Sequence, residues 1–233
     1  MHNQLSATTK GFFWFLILTG LLTAGGCLHQ KAQVLDNAPM PQLEKLVVFG
    51  FRPAMLQGEA PEVIRDPISG AIFMAQPVLS DTAQRMNAIL FERLIADKKY
   101  ELISPSQAEG VFSVLISSDI NADFGTGELL QKMGKAFGAD AVLAGYIFRW
   151  QEREGSDYAV NRPASTAFVL HLISSADGAI LWSAKFDKTQ LSLSENLFDL
   201  ATFVKGRGRW MTVDNLALLG LQKLLDEMPE GKD

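Results

Sequence analysis

The loop DINADFGTGE, residues 119–128, carries the side chains best suited to bind a metal ion. Phe124 stands where a calcium-binding EF-hand loop needs glycine, and Leu130 stands where that loop needs a bidentate glutamate. A polar loop leading into a helix is the simpler interpretation, so we predict no resident metal. A weak calcium candidate remains, because three oxygen-bearing side chains stand at every second position, as the first ligands of an EF-hand loop do. These residues are Asp119, Asn121 and Asp123.

The stretch KGRGRW, residues 205–210, places three cations beside an aromatic side chain. Its glycines free the backbone, so that Arg207, Arg209 and Trp210 can surround an anionic group such as a phosphate or a carboxylate. Cations also complement the dipole at the carboxyl end of a helix, and this simpler role is the alternative. We keep these three residues as candidates for binding a partner or a ligand.

The sequence shows no catalytic constellation. His171 is the one histidine after residue 44, and leucines flank it on both sides. A lone histidine in an apolar strand is more often packed or at the surface than a general base, and no motif for a nucleophile or a phosphate-binding loop accompanies it. We predict a protein that is not an enzyme and needs no cofactor. The alternative, an enzyme acting on the cell wall, would have to use His171 or Asp119.

The chain from Arg52 to Leu79 is a long connection that contains four prolines. Within it DPISG, residues 66–70, predicts a turn, because proline is preset for the second position of a turn. Long connections in compact domains often carry function. We expect an exposed loop here and select Asp66 and Pro67 as candidate contacts with a partner.

Composition limits the class of partner. The chain has 233 residues, a formal net charge of −5 and one cysteine. Domains that bind nucleic acid usually carry a basic excess, so we expect no nucleic acid as a partner. One cysteine excludes an internal disulfide and a zinc site built from several cysteines.

The amino terminus has the architecture of a secretory signal. Lys10 precedes an uncharged apolar run at residues 12–22, and small residues lead from there to Cys27. The run is shorter than the roughly 20 residues that span a membrane. A secretory leader whose cysteine is incidental, or an uncleaved anchor at residues 11–28, is therefore the weaker alternative.

Residues 22–27 resemble the signal of bacterial lipoproteins, although Ala24 stands where leucine is most common. The resemblance implies that residues 1–26 are cleaved and that Cys27 is acylated, so that a lipid such as palmitate holds the protein on a membrane. It also implies the periplasmic side of the outer membrane, because Leu28 is not the aspartate that retains such proteins at the inner membrane.

The rest of the chain divides into a tether, a domain and a tail. Residues 27–44 lack any helical or strand period and contain two prolines, which predicts a short flexible tether. Residues 45–229 predict a single domain, and residues 230–233 a tail.

Hydrophobic periodicity and capping residues predict the order β, α, β, α, α, β, β, β, α, α in that domain. We expect strands at 45–51, 100–103, 141–150, 165–174 and 180–186, and helices that begin at Asp81, after Ser104, near Thr126, at Ser192 and after Thr212. Capping boxes are expected at Asp81, Ser104 and Ser192, and Gly138 is expected to end the third helix. These elements amount to an α/β fold of three layers, in which helices flank a mixed sheet of about five strands.

The segment LLQKMGKAFGADAVLAGYI, residues 129–147, resembles a periplasmic α/β domain of bacterial envelope lipoproteins. Relatives are the curli-export lipoprotein, the lipoprotein that activates penicillin-binding proteins, and the amino-terminal domain of the propeller protein of the Tol system. The stretches KLVVFGF, YELISPSQ and DGAILWSAKFD agree with it. The resemblance implies a role in assembly, secretion or scaffolding, and it implies no catalytic residue.

We therefore predict a lipid-anchored, non-enzymatic envelope protein whose domain binds another envelope protein or associates with itself. An oligomeric outer-membrane export component of the curli-secretion type is the alternative. A pore of that type needs pairs of membrane-crossing strands of about 9–11 residues each. The candidate insertions, residues 117–126 and 187–210, lack that pattern, which disfavours a pore.

Overall fold

The computed structural model describes residues 41–118, 125–156, 160–190 and 210–229. Its strands are β1 (Lys45–Pro53), β2 (Glu62–Arg65), β3 (Ile72–Ala75), β4 (Glu101–Ile103), β5 (Ala141–Gln151), β6 (Glu154–Gly155), β7 (Val160–Arg162), β8 (Ser165–Ser174) and β9 (Ile180–Thr189). Five of them form a mixed sheet in the order β4-β1-β5-β8-β9. Strand β1 pairs in parallel with β4 and β5, whereas the pairs β5–β8 and β8–β9 are antiparallel.

Four described helices cover both faces of this sheet: α1 (Ser80–Asp97), α2 (Pro105–Ser118), α3 (Thr126–Phe137) and α4 (Val213–Asp226). Helices α1 and α4 pack on one face, in a core that includes Leu46 and Val48 of β1. Helices α2 and α3 pack on the other face, in a core that includes Val47 and Phe49. The prediction of a three-layer α/β fold with a mixed sheet of about five strands is confirmed.

Among α1, α2 and α3, the helix ends follow local sequence rules in two cases and depart from them in one. Ser104 and Gln107 form the expected capping box of α2, because each side chain bonds the other residue's backbone N–H. Gly138, with φ +58°, ends α3 as expected. The box expected at Asp81 does not form, since α1 starts one residue earlier with Leu79 at its N-cap. The helix expected at Ser192 lies outside the described residues.

The long connection after β1 is not the irregular loop that we expected. Strands β2 and β3 pair in antiparallel register from Glu62–Ala75 to Arg65–Ile72. The inner face of this hairpin packs on the sheet, where the ring of Phe73 stacks 3.9 Å from that of Phe148. Four-residue strands alternate too briefly to stand out in a sequence, and the same holds for the β6–β7 pair.

The folded body begins before the expected end of the tether. Leu43 is buried in the core beneath α1 and α4. The backbone N–H groups of Glu44 and Lys45 each donate a hydrogen bond of 2.8 Å to a carboxylate oxygen of Asp140. At least Leu43 and Glu44 therefore belong to the domain rather than to the predicted tether.

A bulge in β1 decides which way its last residues face. The register with β5 shifts between Val48 and Gly50, so Phe49 is an extra residue. In a regular strand, strict alternation would turn Phe51 towards α2 and α3, as it does Val47 and Phe49. Because of the bulge, Phe51 joins the core beneath α1, and Arg52 lies beside Phe49 on the opposite face.

Asn87 of α1 closes the open edge of β1 beyond the short strand β4. The N–H of Phe51 donates to Oδ1 of Asn87 over 2.5 Å, and Nδ2 of Asn87 donates to the carbonyl oxygen of Phe51 over 3.0 Å. The carboxamide thus replaces a neighbouring strand. Gly50, at φ +78°, leaves room for it, because a Cβ atom there would lie 2.3 Å from Oδ1.

We predict that Asn87→Ala lowers the free energy of unfolding by about 1–3 kcal/mol, because it leaves the N–H and carbonyl groups of Phe51 without their partners. Urea denaturation of the full chain measures this loss. Gln84→Ala, an equivalent truncation on the exposed part of the same helix, is the control and should cost less than about 0.5 kcal/mol. Equal losses for the two variants would show that Asn87 does not seal the edge.

Candidate functional site

Asp66 lies at the turn of the β2–β3 hairpin, and its side chain points inwards. Its Oδ2 accepts hydrogen bonds from the backbone N–H of Ser69, at 2.7 Å, and from the Ser69 hydroxyl. The backbone N–H of Asp66 donates to the carbonyl oxygen of Ala71 over 2.7 Å. The DPISG turn expected from the sequence is therefore built around this carboxylate, and Asp66 is only 1% exposed.

His171 of β8 lies beneath that carboxylate. It sits opposite Ala144 in the β5–β8 ladder and opposite Ser183 in the β8–β9 ladder, and it is fully buried. Its Nε2 is 2.9 Å from Oδ2 of Asp66, although the ring is not aligned for a straight hydrogen bond. Its Nδ1 has no hydrogen-bond partner among the described residues. We call Asp66 and His171 the buried pair.

The environment of the buried pair favours the ionised carboxyl group. Burial on its own raises the pKa of Asp66, but contact with the His171 imidazole and the two hydrogen bonds from Ser69 outweigh it. The net effect lowers the pKa of Asp66 below its ordinary value. The carboxyl group is thus an anion at neutral pH, held next to the one titratable side chain of β8.

The chemistry open to the buried pair is structural rather than catalytic. In a hydrolytic triad the imidazole stands between the hydroxyl and the carboxylate. Here the Asp66 carboxylate stands between the Ser69 hydroxyl and the His171 ring. The imidazole is also fully buried and has no route to a substrate. What the pair does is join the hairpin turn to the centre of the sheet.

The outer face of the hairpin presents apolar side chains to solvent. Val63 is 60% exposed, Ile72 58% and Met74 53%. Val63 and Met74 are direct cross-strand partners, so they form one patch. Arg65 shares this outer face. We call these four residues the hairpin face. Sequence reasoning missed it because its strands were not recognised.

The structure separates the two residues that we selected in the DPISG turn. Asp66 is buried, so the expectation that it touches a partner directly from an exposed loop is wrong. Its carboxylate is instead used inside the domain. Pro67 is exposed, and its role as a contact remains a prediction.

Most of the other candidate residues lie outside the described part of the chain. This holds for Cys27, for Arg207 and Arg209, and for the weak calcium candidates Asp119, Asn121 and Asp123. Trp210 is described and half-buried, and its carbonyl oxygen accepts a 2.7 Å hydrogen bond from Arg153.

Within the described ranges, no group of three or more histidine, cysteine or acidic side chains is placed to hold a metal ion. The helices described in those ranges are all too short or too polar to cross a membrane.

His171 is the functional residue whose importance the sequence did not indicate. The available signal was one ionisable side chain in the middle of an otherwise apolar run, residues 167–173. Such a residue needs a partner, because an unpaired polar group in the interior is costly. The partner is far away in the chain, and nothing in one sequence identifies it.

No family model and no curated protein match this chain. Solved structures do match. The PelC dodecamer from Paraburkholderia phytofirmans is 13% identical over 87% of this chain and 95% of that chain, with a TM-score of 0.42. The lipoprotein GNA1162 from Neisseria meningitidis is 18% identical over 70% and 96%, with a TM-score of 0.38. The LpoB C-terminal domain from Escherichia coli is 17% identical over 67% and 88%, with a TM-score of 0.36.

At these identities and TM-scores the likeness concerns the overall fold. It assigns no partner, activity or assembly to this chain.

We predict that Asp66 makes stability depend on pH below about 4, which is near the pKa of an aspartate in an unfolded chain. Because the folded state lowers the pKa of Asp66, its contribution is complete above that value and is lost as the pH falls through the lower folded value. The free energy of unfolding, measured by urea titration from pH 5 to pH 2, checks this in the wild type and in Asp66→Asn. The difference between the two proteins should stay constant near pH 5 and shrink in stronger acid. A difference that is the same at every pH would contradict an ionised, buried Asp66.

Proposed function

We propose that this chain is a lipid-anchored, non-enzymatic envelope protein whose α/β domain binds another envelope protein through the hairpin face. The anchor in this proposal is a lipid on Cys27. The observation that carries the binding role is the exposure of Val63, Ile72 and Met74 on one side of a hairpin whose other side is packed.

The hairpin face has the composition of a contact surface. Contiguous exposed apolar side chains rimmed by polar ones are typical of interaction sites, whereas scattered single ones are ordinary. Arg65 borders the patch, and apart from a long 3.5 Å contact with the carbonyl oxygen of Gly70 its guanidinium is open to solvent. A partner with an apolar surface next to a carboxylate would complement it.

The packing beneath supports this assignment because it keeps the surface in one shape. Phe73 and Ala75 are buried on the inner side, and the backbone N–H of Gln76 donates to the carbonyl oxygen of Phe148 over 2.7 Å. The buried pair fixes the turn. A surface that is already ordered loses less conformational entropy on binding.

The position in the cell is part of the proposal. The lipoprotein-like signal and Leu28 favour the periplasmic side of the outer membrane. The tether from Cys27 to Gln42 has 16 residues and reaches at most about 58 Å when fully extended. The partner should therefore lie at the outer membrane or project close to it.

We predict that the double variant Val63→Lys/Met74→Glu loses the partner. The two residues are cross-strand partners, so opposite charges at these positions preserve the hairpin while removing the apolar patch. Crosslinking in intact cells, followed by purification and identification of attached proteins, measures the loss. Ile95→Lys, on an exposed position of α1 with 51% exposure, is the matched control and should keep the partner.

Two further outcomes of the same experiment are informative. Crosslinks between copies of this chain alone, lost in the double variant, would replace the partner with self-association, as in an oligomeric export component. An unchanged set of crosslinks in the double variant would contradict the hairpin face as the site.

Cys27→Ser should move the protein out of the membrane fraction, and its retention there would contradict the lipid anchor.

A further inference from the structure

A cavity of about 220 Å³ lies between the hairpin turn, helices α2 and α3, and the sheet. It lies over the sheet, beside the carboxyl-terminal part of β1 and the middle of β5, which run in parallel. The cavity is separate from the hairpin face, and neither Asp66 nor His171 lines it.

Most of the cavity wall is apolar. The hairpin turn contributes Ile68, and the other apolar lining residues come from both helices and the sheet: Phe49, Phe112, Ile116, Leu129, Leu130 and Ala144. A dry cavity of 150 Å³ is large enough for benzene. This cavity is larger, so it has room for one ring and a small polar substituent.

Arg52 is the charged residue among the described residues that line the cavity. Its guanidinium lies 5.2 Å from the ring centre of Phe49 and 4.7 Å from that of Phe112, which holds it in place. Glu109 accepts one hydrogen bond, at 3.3 Å, from Nη1. Nε and Nη2 have no acceptor among the described residues, and arginine carries five N–H donors in a planar fork.

A hydroxyl group stands next to this guanidinium. Tyr146 is opposite Arg52 in the β1–β5 ladder and also lines the cavity, with the hydroxyl of Thr126 in hydrogen-bonding reach. Burial raises the pKa of Tyr146, and the charge of Asp66 adds to this increase while the charge of Arg52 opposes it, so the Tyr146 hydroxyl keeps its proton at neutral pH. The polar part of the cavity thus offers donors to an anion, and the two nearby carboxylates, Asp66 and Glu109, lie outside its described lining.

We infer that this cavity binds a small monocarboxylate with a single apolar ring, the carboxylate on Arg52 and Tyr146 and the ring against the helices. Planar carboxylates match the guanidinium fork, which favours this class of ligand over a bare ion.

The test compares two probes of the same shape, benzoate and its neutral isostere benzamide. Methyl NMR of the full chain in detergent, with isoleucine methyl groups labelled, reports on Ile68 in the cavity wall. Benzoate should shift this resonance saturably, and benzamide should bind about tenfold more weakly because it lacks the charge.

Two variants separate charge from space. Arg52→Gln should weaken benzoate about tenfold and leave benzamide unchanged. Ile116→Trp, at a half-exposed position that also lines the cavity, should fill it and weaken both probes without disturbing the core.

Three results would overturn the inference. One is no saturable shift of Ile68 with benzoate in a folded wild-type chain. Another is equal weakening of both probes by Arg52→Gln. The last is unchanged binding of both probes to Ile116→Trp, which would place them elsewhere.

Discussion

The contact between Asp66 and His171 ties the turn of the β2–β3 hairpin to the sheet, while Met74 and Gln76 at the other end of the hairpin make hydrogen bonds to Arg149 and Phe148. It places a carboxylate from the hairpin turn on the imidazole at the centre of β8, with neither group exposed to water. Removing one member of a buried pair costs more than replacing both, because the remaining charge has no partner. The position of the hairpin on the sheet therefore depends on both residues. The hairpin in turn supplies the exposed apolar face and, through Ile68, one wall of the cavity.

The bulge at Phe49 and Gly50 has a similar effect on the other side of the cavity. One extra residue moves Phe51 into the core beneath α1 and brings Arg52 between the rings of Phe49 and Phe112. Gly50 then admits the carboxamide of Asn87, which satisfies the edge of β1 that the short strand β4 leaves open. A local departure from strand geometry thus positions the one cation of the described cavity lining.

Sequence reasoning succeeded where the determining interactions are local. The capping box at Ser104, the left-handed end at Gly138 and the long apolar strands each depend on residues that are neighbours in the chain or share one period. The three-layer arrangement followed from the order of these elements.

It failed where distant residues decide the structure. Turn chemistry already accounts for an aspartate before proline, so nothing in the sequence indicated that Asp66 also meets His171. The hairpin strands are too short for a periodic signal, and Leu43 was assigned to the tether because two nearby prolines outweighed one apolar residue. The bulge that positions Arg52 depends on pairing with β5, which the sequence of β1 does not specify alone.

Hydrogen exchange of backbone amides tests most directly whether the buried pair holds the hairpin on the sheet. Exchange in residues 62–75 should be faster in His171→Leu than in the wild type. It should be slower in Asp66→Asn/His171→Leu than in His171→Leu, because the double variant leaves no buried charge. Residues 213–226 of α4, on the opposite face, serve as the internal reference and should exchange at unchanged rates. Unchanged exchange in the hairpin of His171→Leu, or equal acceleration in the hairpin and α4, would contradict this account.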